Sequence, residues 1–145
     1  MTSRLDQQPL EWIDRSALCD FEFEGRRYTG YRGDSITSAL LATGQTLLGR
    51  SFKYHRPRGA VTLANHDVNA LFQSSEEPNI RGDVTPLTEG MVLSACNVNG
   101  SLENDRDRII EKLSGFLPVG FYYKAFHKPK KLFPIMISLI PAPEN

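Results

Sequence analysis

The sequence predicts an α+β domain, a small mixed sheet packed on one main helix. Three observations carry that reading. Cys19, Phe21 and Phe23 alternate with polar residues ahead of a Glu24-Gly25 turn, which is the period of a half-buried strand entering a hairpin. Ile36, Ala39, Leu40 and Thr43 then repeat at helical spacing between a capping Asp34 or Ser35 and a terminating Gly44. Further short apolar runs follow, at Asn69–Gln73 and Pro86–Ser94, separated by Pro78 and Gly82.

Taken in order, residues 1–14 are a polar N-terminal extension with no apolar core of the kind a signal peptide has. The hairpin comes next, its second strand carrying Tyr28 and Tyr31. The helix crosses it, and a hairpin followed by a crossing helix is the opening of a β-grasp fold. The domain is expected over 15–103. Residues 104–145 change character: Asn104-Asp105 can cap a helix from Arg106 to Leu113, with Ile109, Ile110 and Leu113 on one face and Gly115 ending it. Beyond it Phe121, Tyr122, Tyr123 and Lys124 lie among prolines and glycines, a segment unsuited to folding alone. It is expected to be an aromatic and basic docking arm.

Composition limits the function. The chain has 145 residues, 17 basic against 17 acidic, and a formal net charge of zero, so no global field recruits nucleic acid or an anionic membrane. No apolar run reaches the roughly 18–20 residues of a membrane span. Two cysteines, Cys19 and Cys96, do not amount to a disulfide framework and fit a reducing, cytoplasmic location.

Against that neutral background one segment is densely cationic. Between Gly49 and Gly59 stand Arg50, Phe52, Lys53, Tyr54, His55, Arg56 and Arg58. One reading is that these side chains face a nucleotide cofactor or an acidic groove on a partner. The other is that they cap carbonyls and pair with the domain's own acids, with Phe52 and Tyr54 anchoring the loop in the core. A single cationic concentration in a neutral chain favours the first. No nucleophile–base arrangement, paired-carboxylate site or phosphate-cradling glycine loop emerges, so no catalytic residue is assigned.

These motifs carry a resemblance. Phe21–Gly30, Gly33-Asp34-Ser35, Ala39-Leu40-Leu41-Ala42, Gly49–Gly59 and Gly120–Lys124 resemble the N-terminal domain of the α subunit of heterotetrameric sarcosine oxidase. They are also similar to the small subunit of hydrogen cyanide synthase and to subunits of flavin-dependent imino acid and opine dehydrogenases. The resemblance implies a 2Fe–2S ferredoxin-like module set against a subunit or domain that binds FAD and NAD. Plant-type modules hold their cluster with C-x4-C-x2-C and a later cysteine. Counted from Arg58-Gly59, those ligands would fall at Thr62, Asp67, Ala70 and Asp83, none of which is cysteine.

The resemblance therefore implies the branch without a cluster. The expected function is a non-catalytic subunit or domain of a flavin-dependent amine or imino acid oxidoreductase. This chain alone is expected to bind no cofactor, since no G-x-G-x-x-G follows a strand. FAD and NAD are expected in the partner, and neither nucleic acid nor membrane is an expected partner. A 2Fe–2S electron carrier and a free-standing binding module are the alternatives. A hard metal on Thr62, His66, Asp67 and Asp83 lacks any ligand-spacing motif, and none is expected.

Overall fold

The computed structural model of the protein describes residues 4–109. Strands β1 (Asp14–Phe23) and β2 (Arg26–Arg32) pair antiparallel as the hairpin the alternation predicts. Cys19, Phe21 and Phe23 point into the core, and the intervening Asp20 and Glu22 do not. The turn places Glu24 and Gly25 at φ of 52° and 72°, the left-handed pair that a type I′ hairpin turn requires. Glycine adopts this freely. For Glu24 the strain is offset because its carboxylate accepts the Ala95 N–H at 2.7 Å, tying the turn to the last strand.

Helix α1 (Ile36–Ala42) is two turns long. Ser35, not Asp34, is its N-cap: the Ser35 hydroxyl accepts the Ser38 N–H, and the Ser38 hydroxyl accepts the Ser35 N–H. Asp34 is buried instead and takes an ion pair from Arg4 at 2.7 Å, the Tyr31 N–H and the Ser38 hydroxyl. Ile36, Ala39 and Leu40 face the sheet, whereas Thr43 is the exposed C-cap and donates its hydroxyl to the Leu40 carbonyl. Gly44 at φ 87° ends the helix.

After the short ladder of β3 (Gly49–Arg50) and β4 (Pro57–Arg58), strands β5 (Leu71–Gln73), β6 (Ile80–Arg81) and β7 (Val92–Ala95) complete a sheet of order β2-β1-β7-β5-β6. β7 runs parallel to β1 and the other pairs are antiparallel, so the sheet is mixed, as the α+β class predicts. The expected strand from Pro86 to Ser94 forms only at its end. Gly90 at φ 73° turns the chain and donates to the Asp20 carbonyl, and Pro86 makes a lone bridge to Ser35.

The core lies between α1 and the sheet. Phe23, Ile36, Leu40, Leu48 and Phe72 are fully buried, with Phe23 and Phe72 packed edge to face at 5.4 Å. Gly82 passes so close to Phe72 and Thr37 that a side chain there would collide with both. Asp105 caps a single 3-10 turn at Arg106–Arg108, where the sequence predicts the start of a longer helix. The rest of that helix and the arm at Phe121, Tyr122, Tyr123 and Lys124 lie outside the described residues. Among the described residues no helix is long and apolar enough to cross a membrane.

Candidate functional site

The cationic loop divides into an inward and an outward half. The β3–β4 ladder pairs Gly49 with Arg58 and Arg50 with Pro57, closing the loop at its stem. Arg50 is only 5% exposed, and its guanidinium donates to the carbonyls of Leu102 at 3.0 and 2.6 Å, His55 at 3.1 Å and Glu103 at 3.2 Å. Its planar fork of donors suits three carbonyls that converge from two chain segments. His55 sits at φ 51° and turns its ring inward, Nδ1 lying 2.7 Å from Asp105 Oδ2. An ionised carboxylate can only accept, so this ring nitrogen carries the hydrogen.

Asp105 has no exposed side-chain surface and also accepts the N–H groups of Asn99 and Asp107. Burial alone would push its carboxyl up; the His55 and backbone hydrogen bonds outweigh that and hold it below the usual range. Asp107 Oδ2 lies 3.9 Å from His55 Nε2, so His55, Asp105 and Asp107 form a group of potential metal donors. The sequence allowed carbonyl capping and acid pairing for this loop but named no partner. His55 lies 50 residues from Asp105, and the carbonyls that hold Arg50 are backbone atoms without a residue-type trace.

The outward half keeps its charge at the surface. The Lys53 ammonium and the Arg56 guanidinium sit 5.0 and 4.9 Å from the centre of the Tyr54 ring, a geometry for cation–π attraction. Arg56 and Arg58 are exposed, and Phe52 is 69% exposed instead of seated in the core. Arg50, Phe52, Arg58, Val68, Leu71 and Cys96 line one cleft between this loop and β5. The described residues thus place Arg50 and His55 as carbonyl-capping and acid-pairing groups, and leave Arg56 and Arg58 exposed with Lys53 half-buried beside them.

Thr62, Asp67, Ala70 and Asp83 are brought together in the next loop. Asp67 Oδ2 accepts the Val61 N–H at 2.7 Å and the Thr62 N–H at 3.2 Å, while Oδ1 accepts from Asn69 at 2.7 Å. Asp83 Oδ2 in turn accepts the Asp67 N–H at 2.9 Å and a guanidinium N–H of Arg81 at 2.9 Å. The Gly82 N–H donates to the Ala70 carbonyl, which ties the third position to the fourth. Burial pushes both carboxyls up, yet these hydrogen bonds, with the Arg81 charge beside Asp83, leave both below the ordinary aspartate value. His66 is exposed, its Nδ1 against the Ala64 carbonyl, and does not join them.

Residues 16–97 match the family described as a 2Fe-2S iron-sulfur cluster binding domain. The chain belongs to that family. It is 43% identical over 125 residues to the sarcosine oxidase subunit alpha of Rhizobium meliloti (strain 1021), a match covering 83% of this chain and 13% of the relative. It is 28% identical over 109 residues to the sarcosine oxidase subunit alpha of Corynebacterium sp. (strain P-1), covering 70% of this chain and 11% of that one. The chain therefore spans about an eighth of the length of these curated relatives. A crystal structure of L-proline dehydrogenase from P. horikoshii matches 57% of the chain and 16% of its own at a TM-score of 0.49 and 23% identity.

The resemblance carried by the Gly49–Gly59 string thus holds: this is a ferredoxin-like domain whose curated relatives are oxidoreductase subunits. The residues at its four ligand positions nevertheless do not fit a 2Fe–2S cluster. Such clusters take thiolates, or two histidines in place of two of them, and the positions hold a hydroxyl, a methyl and two carboxylates. Both Asp67 oxygens are occupied by backbone amides. Cys19 in β1 and Cys96 after β7 are free, buried thiols whose burial raises their pKa, the opposite of an activated ligand.

Proposed function

We propose that this chain is a cluster-free, non-catalytic ferredoxin-like domain of a flavin-dependent oxidoreductase assembly acting on amines or imino acids. FAD and NAD are held by a partner subunit or an adjoining domain, and the chain contributes assembly contacts and part of the nucleotide-side environment. One observation carries the reading: the positions that should supply four thiolates converge as Thr62, Asp67, Ala70 and Asp83, with both aspartates engaged in backbone hydrogen bonds. The alpha-subunit relatives support the oxidoreductase setting.

In this reading residues 1–14 are an extension, 15–103 the domain, and 104–145 a segment that docks on the flavoprotein through Phe121, Tyr122, Tyr123 and Lys124. Lys53, Arg56 and Arg58 form the matching contact on the domain. The protein resides in the cytoplasm, where Cys19 and Cys96 stay reduced.

The chain expressed alone is expected to lack iron, visible absorption and dehydrogenase activity. Expressed with a flavoprotein subunit encoded beside it, it is expected to co-purify with that subunit. Visible cluster bands in aerobically purified protein would instead make it an electron carrier. A chain that stays monomeric beside the flavoprotein would remove the assembly role.

A further inference from the structure

We infer that Asp67 and Asp83 replace the cluster physically: the two carboxylates supply the buried anionic acceptor around which the loop from Val61 to Asn69 is wound. This rests on the cluster-free reading above and goes beyond it. A cluster held by four thiolates is anionic, and its sulfurs accept hydrogen bonds from surrounding groups. A loop shaped for it and then deprived of it would turn amide donors toward nothing, and an orphaned buried N–H is costly.

Here those donors have an acceptor. Val61 and Thr62 both donate to Asp67 Oδ2 from across the loop, and Asn69 donates to Oδ1. The Asn69 contact alone is an ordinary aspartate turn. The other two are not local to such a turn, and Asp67 is only 1% exposed. Asp67 is itself fixed by its N–H donating to Asp83 Oδ2, which Arg81 also holds. Asp83 Oδ1 is buried with no hydrogen-bond partner among the described residues. Asp83 therefore gathers the Asp67 N–H and Arg81 through one oxygen alone, and its second oxygen adds charge to the site without gathering a further amide. The chain of bonds Thr62–Asp67–Asp83, with Ala70 joined through Gly82, keeps the four positions gathered.

The test uses the full chain and amide hydrogen exchange. Asp67→Asn, which keeps the shape and removes the charge, is expected to speed exchange at Val61, Thr62 and Asn69 by about tenfold or more while β1 amides keep wild-type rates. The variant Thr62→Cys/Asp67→Cys/Ala70→Cys/Asp83→Cys, without iron, is expected to lose the same protection. Anaerobic addition of ferric iron and sulfide is expected to give it visible cluster absorption and to restore protection.

Unchanged exchange in Asp67→Asn overturns the inference. So does a folded four-cysteine variant that takes up no iron or whose loop is already protected without it. If Asp67→Asn does not fold, the four-cysteine variant decides. Wild-type chain given the same iron and sulfide separates the two claims: cluster uptake there sinks the cluster-free reading, whereas no uptake with unaltered exchange in the variants sinks only this inference.

Discussion

The loop from Gly49 to Gly59 and the loop from Val61 to Asn69 are each organised by a buried charge, and the charges are opposite. In the first, Arg50 gathers the carbonyls of Leu102, Glu103 and His55. In the second, Asp67 gathers the amides of Val61, Thr62 and Asn69. Each charge replaces lost hydration with backbone dipoles of the matching sign, which makes an ion buried without a directly facing counter-ion tolerable. The surfaces left over differ. The first loop presents Arg56 and Arg58, with Lys53 half-buried beside them, whereas the second presents Val61, Leu63 and Val68, which are 75%, 53% and 71% exposed. Charge density in a sequence therefore does not say which charges face out.

The largest expected effect breaks the first loop. Arg50→Ala orphans three carbonyls and opens the contact between the β3–β4 ladder and residues 102–103, at a cost of about 3 kcal/mol from several charge-assisted hydrogen bonds. Arg50→Lys is expected to recover less than about half, because a single ammonium nitrogen lacks the planar spread of donors that reaches these carbonyls from Nε and both terminal nitrogens. Urea denaturation checks both. A loss under about 0.5 kcal/mol for Arg50→Ala would mean that the carbonyls find water, and the parallel between the loops would fail.

Acid probes the buried carboxylates of both loops. Asp67, Asp83 and Asp105 all have folded-state pKa values below the ordinary 3.8. A depressed carboxyl binds its proton less readily folded than unfolded, so its contribution is complete above about pH 4 and is lost as pH falls through the depressed values. Stability is expected to be flat near neutrality and to drop below pH 4. Asp67→Asn and Asp105→Asn should each flatten that drop. An acid limb unchanged by either substitution would show that neither carboxylate is strained by protonation.

A smaller effect belongs to the pin between the cationic loop and the 3-10 turn. His55→Ala removes the hydrogen bond to Asp105 and puts alanine at a positive φ, for about 1–2 kcal/mol. His55→Asn tolerates the left-handed backbone better and is expected to cost less. If both cost the same, the backbone plays no part.

The two halves of the fold differed in how much their residues disclosed. The β1–β2 hairpin and α1 rest on local periodicity and caps, so Phe21, Phe23, Glu24-Gly25 and Leu40 disclose them directly. β6 is two residues long between Asn79 at φ 58° and Gly82, too short for any period to register. Its pairing with β5 is tertiary. At the site, only the family resemblance, counted from Arg58-Gly59, pointed to Thr62, Asp67, Ala70 and Asp83, and nothing in residue type revealed that Asp67 would be the hub. The direction of Arg50 was equally hidden, since it depends mainly on the carbonyls of Leu102 and Glu103, 52 and 53 residues downstream.

The smallest effect on stability should come with the largest on assembly. Replacing Lys53, Arg56 and Arg58 together by Ala removes two cation–π contacts to Tyr54 that are at least partly in water, and the fold should change by no more than about 0.5–1 kcal/mol. If these charges meet an acidic groove, the triple variant should bind its flavoprotein partner more weakly, mainly through slower association, and the wild-type affinity should fall with added salt while the variant's does not. Arg50→Lys provides the control, because it disturbs the inward half and leaves the outward cations in place. A triple variant that assembles as the wild type does, with the same salt dependence, would assign the outward charges to solvation. The apolar trio Val61, Leu63 and Val68 would then be the surface to replace next.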